Sequence, residues 1–303
     1  IMDLEASIKR LKFDEHFCLQ LLMVLRRSSL KTINSKPFKI KGEKVKKIID
    51  NLGFDLTNAQ KNVIKEINKD ISSNSAMNRL LQGDVGCGKT IVAIITAIVS
   101  VENNMQVAIM APTEILAHQH YKSFKKYLDT IHINCALIVG KQKASEKDKV
   151  LAALKDGKIN VIIGTHALIQ KNVKFKKLGL IIVDEQHRFG VLQRGDLIKK
   201  GANPHLLAMT ATPIPRTMAI TYHGDMDLSI IDEIPKNRKK IITKIVNDKR
   251  LIKVYTFMKE EIAAGRQCII VFPLVEETKK SDLAAATEGY EKLKQLFLSL
   301  IHI

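Results

Sequence analysis

Covalent and metal restraints are scarce in this sequence. Its four cysteines, Cys18, Cys87, Cys135 and Cys268, are scattered through 303 residues without a Cys-x-x-Cys pair. That spacing excludes a zinc knuckle or a disulfide framework and fits a reducing cytosol. His118 and His120 flank Gln119 with no Cys or carboxylate beside them, so they are expected on a helix surface rather than around a metal. No signal peptide is legible. The longest apolar stretch, Ile91 to Val101, falls well short of the roughly 20 residues a membrane span requires. Low-complexity tracts and internal repeats are missing too. These absences point to a globular protein of the cytoplasm.

Acidic residues are the scarcer charged class, with 31 Asp+Glu against 49 Lys+Arg and a formal net charge of +18. A balance that basic suggests a polyanionic partner, nucleic acid ahead of an anionic membrane surface. A compositional explanation stands beside it, because the chain is rich in Lys, Ile and Asn and much of its Lys can simply be solvated. With 46% hydrophobic residues the chain can bury real cores, and its length allows about two domains.

Residues 3 to 30 read as a long amphipathic helix with Leu4, Ile8, Leu11, Leu22 and Leu25 among its apolar positions. A basic connector follows, from Ser28 to Lys47. Short β-rich runs then alternate with helical patterns: 79–82, 107–110, 136–139, 161–163, 180–183 and 206–209. Apolar strands separated by helices predict an α/β fold with a parallel sheet covered on both faces. A charged break at Glu233 to Lys240 reads as a linker. Beyond it, Asp248 can cap a helix running to about Ala264, and Cys268 to Phe272 reads as a strand opening a second α/β unit. The expected divisions are a helical linker at 1–49, a nucleotide-binding domain at 50–232, a linker at 233–247 and the start of a second domain at 248–303.

Gly83-Asp84-Val85-Gly86-Cys87-Gly88-Lys89-Thr90 satisfies G-x-x-x-x-G-K-T between a strand and a helix. Glycines let backbone N–H groups approach phosphates, and the helix N-terminus adds its partial positive charge. Lys89 is expected to reach the β- and γ-phosphates and Thr90 to hold Mg²⁺. The bland alternative is a glycine-rich turn with a chance lysine. Val183-Asp184-Glu185-Gln186-His187 closes an all-apolar strand, which puts its carboxylates at the sheet edge where ligands of open α/β sheets bind. Asp184 is the expected Mg²⁺ partner, and Glu185 the base that activates the attacking water of ATP hydrolysis. An Asp-Glu pair can also merely solvate a strand end. Cys87 lies near Lys89 and a helix N-terminus, both of which lower a thiol's pKa. A reactive thiol protected by ATP and an inert small residue are both open readings.

Asp-Glu-x-His at 184–187 together with Met209-Thr210-Ala211-Thr212-Pro213 resembles the pattern of superfamily-two helicases and translocases. The resemblance implies RecA-like lobes, and coupling roles for Gln186, His187, Thr210, Ala211 and Thr212. Phe54-Asp55-Leu56-Thr57-Asn58-Ala59-Gln60 is similar to their adenine-reading segment, so Gln60 would bond adenine and Phe54 flank it; otherwise Gln60 is a polar surface residue. The runs 111–117 and 163–167 resemble the family's nucleic-acid-facing motifs, which implies phosphate contacts for Thr113, Gly164 and Thr165. Such contacts are blind to sequence. A helix-capping Thr is the alternative.

The segments 184–191, 212–217 and 273–277 bring the resemblance closer to the RecG family of fork-remodelling motors. Transcription-repair coupling factors share Arg188-Phe189-Gly190 and Pro213-Ile214-Pro215-Arg216-Thr217, but usually carry Glu where this chain has Gln186. The resemblance implies an ATP- and Mg²⁺-dependent translocase acting on branched double-stranded DNA, namely forks and Holliday junctions. It also implies that a DNA-engaging wedge domain precedes residue 1 and that the second lobe lacks its arginine-bearing motif, so that these 303 residues alone would be inactive. A rival class is a module that binds nucleotide without hydrolysing it. The last six residues, 298–303, match the translation of a transposon-end adapter and are expected not to be native.

Overall fold

A computed structural model describes residues 2–31, 34–140, 142–185, 191–212, 226–233, 235, 241–247, 250–271 and 286–297. The chain divides into two units, 1–238 and 239–303.

Each expected apolar run in the first unit forms a strand: β1 Asn78–Gly83, β2 Gln106–Met110, β3 Cys135–Ile138, β4 Val161–Gly164, β5 Leu178–Val183 and β6 His205–Thr210. A seventh, β7 Asp227–Ile231, was not expected from the sequence. Its Asp-Leu-Ser-Ile-Ile has neither a continuous apolar run nor a clean alternation, and it lies at the sheet edge, where full burial is not required. The strand order is β3-β4-β2-β5-β6-β1-β7, and every pairing is parallel.

Adjacent residues along a strand point to opposite faces, and both faces here are apolar. Leu81, Ile109, Ile163, Ile182 and Leu207 enter one core, while Leu80, Ala108, Ile162, Ile181 and Leu206 enter the other. The helices α3 Asn58–Ile71, α4 Lys89–Glu102 and α5 Glu114–Leu128 contribute to the first core; α6 Ala144–Lys155 and α7 Val191–Ile198 contribute to the second. The long apolar stretch of the sequence is α4, buried from Ile91 to Glu102. No described helix is long and apolar enough to cross a membrane.

Buried polar groups fasten this architecture. Gln106 donates through Nε2 to the carbonyls of Leu154 (2.8 Å) and Ile159 (2.9 Å), and its Oε1 accepts from the N–H groups of Lys176 (2.7 Å) and Lys177 (2.9 Å). One amide thereby satisfies four backbone groups at the start of β2. Arg79 on β1 reaches Asp70 (2.7 Å) and Glu66 (3.1 Å) on α3, and Ser229 (2.7 Å) on β7. A buried guanidinium so partnered avoids the cost of an uncompensated charge.

At the N-terminal side, α1 (Met2–Lys31) leaves Leu4, Ile8, Leu11, Leu22 and Leu25 exposed. Residues 34–42 then run along the lobe to α2 Glu43–Asp50, with Phe38 and Ile48 entering its core although sequence reading placed them in a linker. Phe38 packs edge-on to His205, with ring centroids 4.6 Å apart. His205 is fully buried and accepts the Met77 N–H at Nδ1 (3.0 Å). Burial pushes its pKa down from 6.5 to about 4; the Lys36 carbonyl opposes part of that shift without reaching hydrogen-bond geometry at Nε2.

The second unit holds α8 Leu251–Ala263 and α9 Ala286–Phe297, with Tyr255 edge-on to Phe297 at 6.3 Å. The expected strand from Cys268 is not formed over residues 268–271, and Ile269 is 89% exposed there. A strand requires a bonded neighbour, and none exists among the described residues of this unit. Asp248, Phe272 and the segment 273–277 lie outside the described residues.

Candidate active site

Parallel strands end on one sheet edge, so the order β4-β2-β5-β6-β1 fixes the order of the residues that follow them. Along that edge come Gly164 and Thr165, then Thr113 after β2, then Asp184 and Glu185, then Thr210 to Thr212, then the loop Gly83–Thr90. Residues assigned to nucleic acid thus lie on one side and the phosphate loop on the other. The acidic pair sits between them.

The loop turns through left-handed Gly86 (φ 81°) and Gly88 (φ 92°), a conformation glycine adopts without steric cost. A side chain at Gly88 would also collide with the Gln60 amide. Gly88 precedes α4 without any side-chain cap, so the positive end of that helix faces the loop. Asp84 accepts the Val85 N–H at 2.7 Å, and Cys87 N–H bonds the Asp84 carbonyl at 3.2 Å. The Lys89 ammonium folds over this turn onto the carbonyls of Gly83 (2.6 Å) and Asp84 (3.0 Å). Thr90 follows at the helix start, half-buried. Cys87 differs from the reactive reading. Its thiol is buried, and that burial raises its pKa more than Lys89 lowers it.

Gln60 is not a surface residue either. It is 1% exposed and completes a capping box at the start of α3: its N–H donates to Thr57 Oγ1 (3.2 Å) while its Oε1 accepts the Thr57 N–H (2.9 Å). Its Nε2 donates to the Cys87 carbonyl (2.8 Å), joining this helix to the phosphate loop. Glu233, which sequence reading assigned to a linker, accepts the Ala59 N–H (3.1 Å) at the same helix start. These elements surround a cleft of about 1130 Å³ lined by Phe54, Thr57, Gln60, Gly86, Thr90 and Tyr127, among others. Phe54 is 43% exposed at its wall.

Asp184 is held on three sides. Its N–H bonds the Met110 carbonyl (2.9 Å), its Oδ1 accepts the Glu185 N–H (3.1 Å), and its Oδ2 bonds His120 Nε2 (2.6 Å). His120, expected on a helix surface, is instead buried against the acidic box. Its partner is 64 residues away in sequence, so no local spacing announces the pair. Glu185 adopts a left-handed backbone (φ 49°), which costs a residue with a Cβ roughly 1–2 kcal/mol. Strain of this kind gathers at functional sites. Thr210 Oγ1 lies 2.7 Å from Thr212 Oγ1 and accepts the Thr212 N–H (3.2 Å), with Ala211 between them. Gln186 and His187 lie outside the described residues.

Thr113 is exposed and caps α5 by accepting the Leu116 N–H at 3.3 Å. Thr165 is 2% exposed, so its hydroxyl does not face solvent in this conformation as the expected phosphate contact requires. Gly164 ends β4 against Ile138.

The donor set fits a magnesium nucleotide. Lys89 and the loop suit phosphates, while the Asp184 carboxylate and Thr90 hydroxyl are hard oxygen donors. Among the described residues no cluster of three or more His, Cys, Asp or Glu could hold a metal by itself.

Residues 57–220 match the DEAD/DEAH box helicase family. The chain is 49% identical over 291 residues to the ATP-dependent DNA helicase RecG of Aquifex aeolicus, covering 95% of this chain and 37% of that protein. It is 43% identical over 295 residues to the Bacillus subtilis protein of the same name, covering 97% and 43%. A solved structure of RecG bound to a three-way DNA junction matches with a TM-score of 0.84 at 42% identity, covering 97% of this chain and 38% of that one. The chain spans about two fifths of the length of these relatives.

Proposed function

The chain belongs to the DEAD/DEAH box helicase family, and from that premise we propose that it carries the ATP-hydrolysing site of a translocase that remodels branched double-stranded DNA. One observation carries the reading: the ends of β5, β6 and β1, three neighbouring strands, bring the acidic pair, the threonine pair and the phosphate loop onto one edge.

In this mechanism the loop amides and the α4 N-terminus receive the phosphates, and Lys89 transfers its ammonium from the Gly83 and Asp84 carbonyls to the β- and γ-phosphate oxygens. Thr90 and Asp184 hold magnesium, which supplies positive charge against the phosphates when bound. Glu185 orients a water and accepts its proton as the water oxygen attacks the γ-phosphorus and the bond to the ADP oxygen breaks. Gln60 reads adenine beside Phe54, trading one of its present bonds for the base. Thr210 and Thr212 pass the state of the phosphates towards Thr113, whose exposed hydroxyl is offered to DNA backbone; Thr165, buried in this conformation beside Gly164, joins that contact only if its hydroxyl turns outward. The names of the bacterial relatives support a DNA helicase, and the three-way junction bound in the matched structure supports branched DNA, of which forks and Holliday junctions are the proposed forms.

The test is steady-state ATP hydrolysis by the complete protein with and without a three-way DNA junction, repeated for Glu185→Gln. The amide keeps the shape of Glu185 but cannot take the proton. Nucleotide affinity should stay within about threefold while hydrolysis falls by roughly 10²-fold or more. Normal hydrolysis by the variant would remove Glu185 from the mechanism, and no stimulation by the junction would remove the substrate.

A further inference from the structure

We propose that His120 is a positioning residue for the metal-holding carboxylate, fixing Asp184 and tying it to helix α5. The inference rests on the reading of Asp184 as the magnesium partner. The bond from Nε2 to Oδ2 is 2.6 Å, and the two side chains are only 10% and 12% exposed. A bond that short to a carboxylate belongs to the stronger, charge-assisted class. With Oδ1 accepting the Glu185 N–H, each Asp184 oxygen has a fixed protein partner, so the orientation of the carboxylate is set before any ion arrives.

The His120 ring is itself held. It lies edge-on to Phe124 one turn along α5, centroids 6.5 Å apart at 74°, and Phe124 is fully buried. Thr113, which caps the same helix, precedes His120 by seven residues, two turns and roughly 10 Å along one helical face. A shift of α5 therefore moves the partner of Asp184 directly. His120 is not among the residues that line the cleft beside the loop; it acts through Asp184. Groups that hydrogen-bond a metal ligand set its direction, and their loss costs roughly 10–100-fold in metal affinity.

The experiment follows binding of a fluorescent ADP analogue to the complete protein while Mg²⁺ is titrated. His120→Ala should raise the half-saturating Mg²⁺ concentration about tenfold or more and leave magnesium-free nucleotide binding within about twofold. His120→Gln, whose amide can still donate to Asp184, should return Mg²⁺ dependence to within about threefold of the parent. If His120→Ala does not fold by thermal melting, His120→Asn, too short to reach Asp184, takes its place with the same expectation. A Mg²⁺ dependence unchanged within about twofold in the Ala variant overturns the proposal, and so does a Gln variant as impaired as Ala, since the defect would then be one of packing. Asp184→Asn separates the two layers. If it leaves Mg²⁺ dependence unaltered, the metal assignment of Asp184 fails, whatever His120 does.

Discussion

The Lys89 ammonium rests on two carbonyls of its own loop, at 2.6 and 3.0 Å, on a half-buried side chain. Its removal returns those carbonyls to water, so Lys89→Ala should change the unfolding free energy by no more than about 1 kcal/mol while ATP turnover is lost. Chemical denaturation and a steady-state assay on the same preparation check both halves. Two residues away, Cys87 shows how burial reverses an inference from sequence. Lys89 and the helix end do lower its pKa, but desolvation outweighs them. Iodoacetamide should therefore modify the exposed Cys18 and Cys268 in the folded protein and leave Cys87 untouched, with or without ATP; peptide mass mapping reads the result. The phosphate loop and the acidic pair were legible because their chemistry is contiguous in the chain. His120 was not, because it lies on helix α5 and its partner follows a strand 64 residues away, and neither was the bond from Gln60 to the Cys87 carbonyl, 27 residues on.

Six strands were legible because each carries adjacent apolar residues that enter opposite cores, as Leu80 and Leu81 do even in the polar-flanked β1. The seventh was not, since Asp227 and Ser229 interrupt it and its burial is uneven. Ser229 is there for the Arg79 guanidinium, which draws α3, β1 and β7 together. Arg79→Ala would leave Asp70 and Glu66 facing each other without their cation. Loss of one member of a buried pair costs about 3–5 kcal/mol, and here about 2–3 kcal/mol is expected because Glu66 is 49% exposed to solvent. Urea unfolding followed by circular dichroism should show a lower midpoint with an unchanged slope. A variant as stable as the parent would show that the network is decorative. The α3 start illustrates the same limit of sequence reading: the capping box joins Thr57 to Gln60 three residues on, but nothing local announces that Glu233 supplies an acceptor to Ala59.

Across the whole first unit, His205 makes stability depend on acidity. Its pKa is about 4 in the fold against an ordinary 6.5, so above pH 6.5 both folded and unfolded chains carry it neutral. As the pH falls below 6.5 the unfolded chain takes a proton that the fold refuses. Stability is then lost progressively down to about pH 4, by roughly 3 kcal/mol, and this contribution levels off below that. His205→Asn, which keeps an acceptor for the Met77 N–H, should flatten the thermal-melting profile over that window; an unchanged profile would exclude His205 as its source. The domain divisions were harder to read than the strands, since residues 34–50 look like a basic connector while Phe38 covers His205 and Ile48 enters the core. The sheet order also has a consequence in time. β1, which ends in the phosphate loop, bonds only to β6 and β7: Met77 waits for His205, 128 residues later, and Arg79 for Ser229, 150 residues later. At the usual pace of protein synthesis that interval is on the order of 10 s. For all of it β1 stands at the ribosome with no neighbouring strand yet made, so the glycine-rich loop is written well before the strands that must flank it.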